Sequence, residues 1–478
     1  MIVYYRLISF REGGVRFILK KDYLKMMREG KALSTTQLIL MTVRLSIPTI
    51  LAQISIIIME YIDEAMVGSL GGNATASIGL VSSTTWLFGG ICFSICIGFG
   101  VLVAQRIGAG DDAGARRMMQ HGMVFSFLFS FVLSAVGIGI HSFLPVWLGG
   151  KAEVLKDASS YFLVFSIALP VRQLNSICTS FLQNSGNTKT PGILETLLCV
   201  FDVGFNYIFI NVFSLGVTGA ALGSAVSELV ILAPMMIALL AKNEHLRIRK
   251  NEAFHYVRGE IGGALKIALP ACVEQIIMSS AYITSTAIVS PLGTVSLAAH
   301  SLAITAESFC YMPGYGIAAA ASTMVGQSIG AKREDLRIKL SYISTCAGML
   351  LMGVSGVVIY FLAPLVMRIL TPVESIYTLG AEVLRIELFA EPLFAASIVA
   401  TGVFRGAGDT LAPSAMNLIS MWGVRIPLSA FLAHRMGLRG VWIAMLIELI
   451  FRGTIFLARL IYKNEKMRKR IKNLSRQQ

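Results

Sequence analysis

The segment VAQRIGAG at residues 103–110 recurs 222 positions later as VGQSIGAK at residues 325–332. The same shift superimposes most of the prolines and glycines that punctuate the two halves of the chain. The further pairs are Pro48 and Pro270, Gly71 and Gly293, Pro170 and Pro392, Gly186 and Gly408, Thr188 and Thr410, and Pro191 and Pro413. One register held over so long a stretch predicts a duplicated unit, and internal repeats of this size in an apolar chain are typical of membrane transporters.

The composition indicates an integral membrane protein. Of the 478 residues, 55% are hydrophobic and 14% are charged, and the mean hydropathy is +0.70. Soluble domains are less apolar and contain about 25% charged residues, so the soluble classes are excluded. The seven cysteines are scattered through apolar stretches without a CxxC pair, which predicts buried free thiols.

The net charge of +14 does not indicate a nucleic-acid partner, because the basic residues flank the hydrophobic blocks. They gather in residues 6–31, 242–266 and 463–476, and in the loops after the second and eighth predicted helices. Short basic loops mark the cytoplasmic side of a membrane protein. Both termini and the central linker are therefore predicted to be cytoplasmic, although Arg435 and Arg439 depart from the pattern.

Each half can be divided into six apolar helices, each long enough to cross a bilayer. The predicted spans are 40–68, 77–105, 119–141, 157–182, 190–212, 216–240, 262–289, 297–326, 341–363, 378–404, 412–433 and 437–461. An even-numbered repeat gives both halves the same orientation. We therefore predict an all-α membrane protein of about twelve transmembrane helices, in which two parallel six-helix lobes form a V around a cavity.

The predicted domain organisation follows from these spans. It comprises a basic cytoplasmic arm at 1–38, an N-lobe at 39–241, a linker at 242–261, a C-lobe at 262–461 and a basic tail at 462–478.

Several motifs resemble the multidrug and toxic compound extrusion (MATE) family of the MOP flippase superfamily. They are YIDEAMVGSLG at 61–71, the two VxQxIGA segments, SGNTKTP at 185–191 and FRGAGDTLAP at 404–413. Together they extend over nearly the whole chain in the order and at the spacing of the repeat. The resemblance implies a monomeric secondary-active exporter in a bacterial cytoplasmic membrane, which exchanges H⁺ or Na⁺ for organic, often cationic, drug-like compounds. It implies no cofactor beyond the coupling ion.

Asp63 is the first candidate for ion coupling. A carboxylate inside hydrocarbon raises the free energy of the folded protein and therefore points to a function. Asp63 lies well within the first apolar run. A buried carboxylate can exchange a proton or Na⁺ for a cationic substrate. Asp63 also matches the first-helix Asp that family members use for coupling, although the family usually has Thr where Glu64 follows here.

Polar residues of neighbouring helices could complete an N-lobe site. Asp202 and Asn206 are four residues apart in the fifth helix and share a face; the resemblance implies the reverse order, Asn before Asp. Asn175 in the fourth helix is a further candidate ligand. Na⁺ could bind at Asp63 and Asp202, and hydrogen bonding between helices is the alternative role for Asp202.

The C-lobe has acids of its own, although Ser285 stands where Asp63 stands in the N-lobe. The candidates for the substrate cavity are Glu274, Glu307, Glu387 and Glu391. One branch of the family has acids in the seventh and tenth helices, but Glu274 lies nearer the cytoplasmic side than that branch implies. For Glu274 and Glu391, structural pairing with Arg385 or Arg425 is the alternative.

Other functional classes find no support in the sequence. GAGDDAG at 108–114 is not a nucleotide-binding loop, since it lacks the Lys-Ser/Thr ending and follows a membrane helix rather than a strand. The chain has no HExxH or GxSxG motif, so we do not predict an enzyme. A lipid-linked oligosaccharide flippase with the same fold is the alternative to an exporter, and a membrane scaffold that does not transport is a third possibility.

Overall fold

The computed structural model describes residues 22–249 and 257–477, and these residues form helices and connecting turns. Twelve long helices are present in this part of the chain. They are α1 (Thr35–Gly68), α2 (Gly72–Gly108), α3 (Asp112–Ile140), α4 (Ala152–Asn184), α5 (Lys189–Tyr207, continued by the π-helical turn Ile208–Val212), α6 (Gly216–Ile237, continued by Ala238–Lys242), α7 (Arg258–Val289, continued by the 3₁₀ turn Ser290–Leu292), α8 (Thr294–Gly330), α9 (Glu334–Leu370), α10 (Glu374–Glu387 and Glu391–Gly406, joined by the 3₁₀ turn Leu388–Ala390), α11 (Leu411–Leu418 and Ile426–Met436, joined by the π-helical segment Ile419–Arg425) and α12 (Leu438–Gln477).

The helices repeat with the period of the sequence. The bounds of α2 and α8 are 222 residues apart at both ends, and so are those of α4 and α10. Gly71 and Gly293, at φ +112° and +100°, precede α2 and α8 at equivalent positions. A residue with a side chain rarely adopts this conformation, so the paired glycines fix the same turn in both halves. The predicted duplication of a six-helix unit is confirmed.

Ten of the twelve helices are long and apolar enough to cross a membrane by length and composition, judged over the described residues. The other two, α8 and α10, match the expected positions of spans but are less apolar. Small residues dominate α8, and its second half is almost entirely buried. Charged residues interrupt α10, which a 3₁₀ turn divides into two shorter helices.

The observed helices extend beyond the predicted spans. The ninth was predicted at 341–363 and is observed as Glu334–Leu370, and the region predicted as a tail after residue 461 continues α12 to Gln477. Hydropathy marks the part of a helix that contacts hydrocarbon, whereas backbone hydrogen bonding continues into polar residues at either end. Residues 1–21 of the predicted arm, 250–256 of the predicted linker and residue 478 lie outside the described residues.

The first six helices form the N-lobe and the last six form the C-lobe. The lobes meet where α1 packs on α8 and where α2 packs on α7 and α8. We call the end of the bundle that contains the α2–α3 and α8–α9 loops, with Arg106 and Arg333, the basic end. Contacts between the lobes extend from Tyr61, stacked on Phe309 with ring centroids 5.5 Å apart, to this basic end. The lobes thus form the predicted V.

Candidate functional site

Three residues predicted for the N-lobe site come together in the structure. The amide nitrogen of Asn206 on α5 donates to Asp63 Oδ1 on α1 at 2.8 Å and to Asp202 Oδ2 at 2.9 Å. Asp202 and Asn206 are each 1% exposed, whereas Asp63 is partly exposed. One amide therefore joins two carboxyl groups from two helices. Carboxylate oxygens, such as those of Asp63 and Asp202, are also ligands that hard cations such as Na⁺ take, whereas Asn206 presents its amide nitrogen to them.

Close packing of α6 holds Asn206 in place. A Cβ atom added to Gly223 would overlap Asn206 Oδ1, which is buried and accepts no hydrogen bond from the described residues. Gly219, one turn earlier, would bring a Cβ atom to 2.8 Å from the carbonyl oxygen of Phe209. Small residues allow helices to approach this closely in membranes, so α5 and α6 pack directly behind the site.

Asn175 does not reach the Asp63 group. Its amide nitrogen donates instead to Glu228 of α6, at 2.5 Å to the carboxylate and 2.7 Å to the backbone carbonyl. Arg172 on α4 was not predicted as part of the site; its Nε lies 3.9 Å from Glu228 Oε1, and its side chain is 53% exposed. An arginine inside a predicted membrane span is itself a sign of function, so its position could have identified it.

The C-lobe candidates on α8 and α10 lie in a buried cluster. Glu307 is 2% exposed, and Glu387 and Glu391 are fully buried on either side of the 3₁₀ turn in α10. Within the described residues, the carboxyl oxygens of Glu387 and Glu391 accept no hydrogen bond. Arg425 and Arg452 lie near enough to act electrostatically on Glu307 and Glu387. Buried carboxyl groups without hydrogen-bond donors are unfavourable when ionised.

Glu274 occupies a separate polar group in the C-lobe. It accepts hydrogen bonds from Asn417 at 2.6 Å and Ser414 at 2.9 Å, both on α11, and lies 3.5 Å from Arg405 of α10. The proposed alternative partners were therefore wrong for this acid. Arg385 donates to the carbonyl of Tyr360 at 3.0 Å, and Arg425 contacts the sulfur of Met445 at 2.9 Å.

Glu448 on α12 has a structural role, because its carboxylate has both a hydrogen-bond donor and a counter-ion. It is fully buried, lies 3.0 Å from Arg452 and accepts a hydrogen bond from Ser420 of α11 at 2.5 Å. The charge of this acid is thus balanced by a permanent cation one helical turn away. Its role differs from that of Glu387 and Glu391, which have no such donors.

The remaining groups in the structure offer no metal centre. All seven cysteines are free, but only five are buried: Cys272 is partly exposed and Cys346 is exposed, so the prediction of buried thiols is wrong for Cys346. Over residues 22–249 and 257–477, no group of three His, Cys, Asp or Glu side chains is placed to hold a metal ion. The titratable groups inside the bundle are mainly carboxyl groups distributed over two lobes.

Two repeated helical lobes with carboxyl groups inside apolar helices are the architecture of a membrane transporter. The MatE family model matches residues 48–208 and residues 270–431, once in each half and with starting points 222 residues apart. The chain therefore belongs to the MatE family, whose members are transporters rather than enzymes.

Named relatives and a solved structure agree with this assignment. A "Probable multidrug resistance protein NorM" of Thermotoga maritima is 23% identical over 421 residues, covering 86% of this chain and 90% of the relative. "Multidrug and toxin extrusion protein 1" of Danio rerio is 24% identical, over 88% of this chain and 71% of the relative. The structure described as the "Outward-facing conformation of a multidrug resistance MATE family transporter of the MOP superfamily" superimposes with a TM-score of 0.87, at 19% identity, over 94% of this chain and 99% of that one.

Proposed function

We propose that this protein is a secondary-active multidrug exporter, which exchanges organic cationic compounds for H⁺ or Na⁺ as a monomer in a bacterial cytoplasmic membrane. The basic end faces the cytoplasm in this proposal, as the positive-inside rule indicates. The observation that supports it most is the Asn206 amide shared between Asp63 and Asp202, at 2.8 and 2.9 Å. Multidrug resistance and extrusion are also what the names of the relatives describe.

The geometry of this group suggests how an ion could be coupled. Two carboxyl groups that share one amide donor repel each other when both are ionised. Uptake of a proton or Na⁺ between Asp63 and Asp202 relieves this repulsion, and the ion then favours the conformation in which the group is best formed. An ion shifts a conformational equilibrium only through such a difference in affinity, so the substrate is released in the state that the ion stabilises.

We assign the C-lobe acids to the substrate cavity. Glu387 and Glu391 accept no hydrogen bond from the described residues, and with Glu307 they form a buried cluster whose negative charge a bound organic cation would compensate. Glu274 differs because Asn417, Ser414 and Arg405 already engage it. It therefore ranks below the cluster as a contact for a cation.

The flippase alternative is not favoured. A flippase for lipid-linked phosphates needs a cationic cavity, whereas the N-lobe interior is rich in acids and Arg172 faces Glu228. The membrane-embedded acids of the N-lobe are Glu60, Asp63, Glu64, Glu195, Asp202 and Glu228. So many carboxyl groups within apolar helices also argue against a scaffold without transport function, because each one is unfavourable in hydrocarbon.

Efflux of the fluorescent cation ethidium from energised cells tests the proposal. Cells that express the protein should retain less ethidium than cells with an empty vector. Collapse of one gradient, H⁺ or Na⁺, should abolish the difference, and collapse of the other should leave it unchanged. Equal retention in both cell types, while a fluorescent lipid-linked phosphate crosses vesicles that contain the protein, would replace the exporter with a flippase.

A further inference from the structure

The two VxQxIGA segments join the lobes at the basic end. The amide nitrogen of Gln105, in the N-lobe, donates to the carbonyl of Gly406 at the end of α10, at 3.2 Å. The amide nitrogen of Gln327, in the C-lobe, donates to the carbonyl of Asn184 at the end of α4, at 2.8 Å. Donors and acceptors are both related by the shift of 222 residues. Each lobe therefore contributes the same hydrogen bond to the other.

Backbone contact at the same point leaves no room for side chains. A Cβ atom on Gly108 would overlap the carbonyl oxygen of Gln327, and one on Gly330 would overlap that of Gln105. A Cβ atom on Gly326 would lie 3.0 Å from that of Ala104. Only glycine permits such an approach between helix backbones. The glycines of the two VxQxIGA segments thus allow the backbones of α2 and α8 to pack in direct contact.

Each glutamine reaches a second motif that the resemblance singled out. Gln327 lies against Gly186 of SGNT at 185–188, and Gln105 lies against Gly408 of AGDT at 407–410, each amide nitrogen 3.9 Å from the position of a Cβ atom. Both glycines have positive φ, +94° and +74°. The glutamine of each VxQxIGA segment therefore packs against the glycine loop of the opposite lobe.

Ion pairs fix the AGDT loop within the C-lobe and join the two lobes beside it. Asp409 in the AGDT loop accepts hydrogen bonds from Lys463 and, at 2.8 Å, from Arg459 of α12. Burial alone would raise the pKa of Asp409, but these two cations outweigh burial and lower it. On the N-lobe side, Arg106 next to Gln105 lies 3.2 Å from Glu260 at the start of α7.

The short helix Tyr23–Arg28 covers one half of the closure. Arg28 donates to Gln327 Oε1 at 3.4 Å, and the side chain of Leu24 packs on Gly186. The same helix belongs to a buried apolar cluster that includes Met324 of α8. It therefore contacts parts of both lobes at the basic end.

We propose that Gln105 and Gln327 are positioning residues of a pseudo-symmetric latch that holds the basic end closed. This inference rests on the proposed function, since alternating access requires the latch to open toward the cytoplasm. Each glutamine docks in the glycine loop of the opposite lobe, and the two docked pairs separate together when the lobes part. The helix Tyr23–Arg28 stabilises the Gln327 pair alone, so the two halves of the latch differ in strength.

Loss of either glutamine should increase the population that is open at the basic end. Removal of one neutral hydrogen bond shifts such an equilibrium by about threefold to tenfold. The apparent KM for substrate from the basic side should fall by the same factor, because more of the protein is competent to bind it. Turnover should fall as well, since the return to the closed state becomes less favourable.

Labelling of a single cysteine in the latch measures this opening directly. Thr323 of α8 is 1% exposed and its hydroxyl donates to the carbonyl of Gln183 in the N-lobe at 3.2 Å, so Thr323→Cys, with the seven native cysteines replaced by serine, adds no bulk and reacts with a hydrophilic maleimide only when the latch opens. Purified protein in lipid nanodiscs exposes both ends, so the rate does not depend on orientation, and it is measured without substrate at one fixed ion concentration. Gln105→Ala and Gln327→Ala should each label about threefold to tenfold faster than the parent, and the double variant faster still.

Gln173→Ala is the matched control, because Gln173 also donates to a backbone carbonyl, that of Cys92 at 3.1 Å, but within the N-lobe. It should label at the parent rate. The Gln→Met variants keep side-chain length without the donor and repeat the test if alanine impairs folding. Parent-like labelling of folded glutamine variants would overturn the latch even if ethidium is exported; faster labelling without ethidium export would support the latch and reject the proposed function.

Discussion

The two lobes have the same helical framework and different chemistry at its centre. In the N-lobe, Asp63 and Asp202 share the amide of Asn206. In the C-lobe, Ser285 stands at the position of Asp63, and Glu387 and Glu391 accept no hydrogen bond within the described part of the chain. The bounds of α2 and α4 coincide with those of α8 and α10 after a shift of 222 residues, but the polar groups do not coincide.

This difference separates what duplication preserves from what it does not. Glycines at turns and helix contacts are retained because the backbone has no alternative at those points. A carboxyl group inside a lobe is constrained by its ligand rather than by the framework, so it can change from one half to the other. The N-lobe group, with its donor in place, suits a small ion, whereas the C-lobe cluster suits a ligand that brings its own charge.

The largest effect should distinguish structural from functional acids within the C-lobe. Glu448→Gln leaves Arg452 buried without its counter-ion at 3.0 Å, and loss of one partner of a buried pair costs about 3–5 kcal/mol of stability. Thermal unfolding of the purified protein should show this loss. Glu387→Gln and Glu391→Gln, which remove no hydrogen bond, should unfold at or above the parent temperature, and a marked drop for either would show that it too is structural.

The next effect concerns the amide that joins the N-lobe acids. Asn206→Ala removes both hydrogen bonds and leaves Asp63 and Asp202 without their shared donor. Coupling between sites is typically worth about 5- to 150-fold, and gradient-driven export should fall within that range. Asn417→Ala removes a hydrogen bond from an amide to the carboxylate of Glu274 in the C-lobe and should reduce export less; equal losses would remove the distinction between the lobes.

A smaller effect should follow from crowding of the same amide. Gly223→Ala places a Cβ atom against Asn206 Oδ1 and should displace the side chain. Because a crowded position relaxes in part, we expect export to fall by about threefold to tenfold. Gly204→Ala on α5 is the control, since nothing lies within 4 Å of its added Cβ atom. Transport rates in proteoliposomes measure both, and unchanged export by Gly223→Ala would show that Asn206 tolerates movement.

The framework could be predicted from the sequence because its determinants are local. Pro170 and Pro392 mark equivalent helix positions in the two lobes, and Gly186 and Gly408 mark equivalent turns. The helix ends could not be predicted as well, because α12 continues through polar residues to Gln477. Hydropathy does not indicate where a helix ends in water.

The site was predictable in part. Asp63, Asp202 and Asn206 were found because a carboxyl group in an apolar helix stands out, and the i, i+4 spacing fixes a shared face. The partners of Asn175 and Glu274 depend on how α4 packs on α6 and α7 on α11, which is tertiary information. The role of Gln105 was equally hidden, since its acceptor at Gly406 lies in the opposite lobe.

Gradient-driven export by purified protein in proteoliposomes tests the central claim most directly, with the parent, Asp63→Asn and Glu391→Gln compared under imposed H⁺ and Na⁺ gradients. If the N-lobe group couples the ion, Asp63→Asn will lose the stimulation of export by either gradient, while Glu391→Gln will keep it and bind the cationic substrate less tightly. Full gradient stimulation in Asp63→Asn, together with its loss in Glu391→Gln, would contradict the account and place ion coupling in the C-lobe.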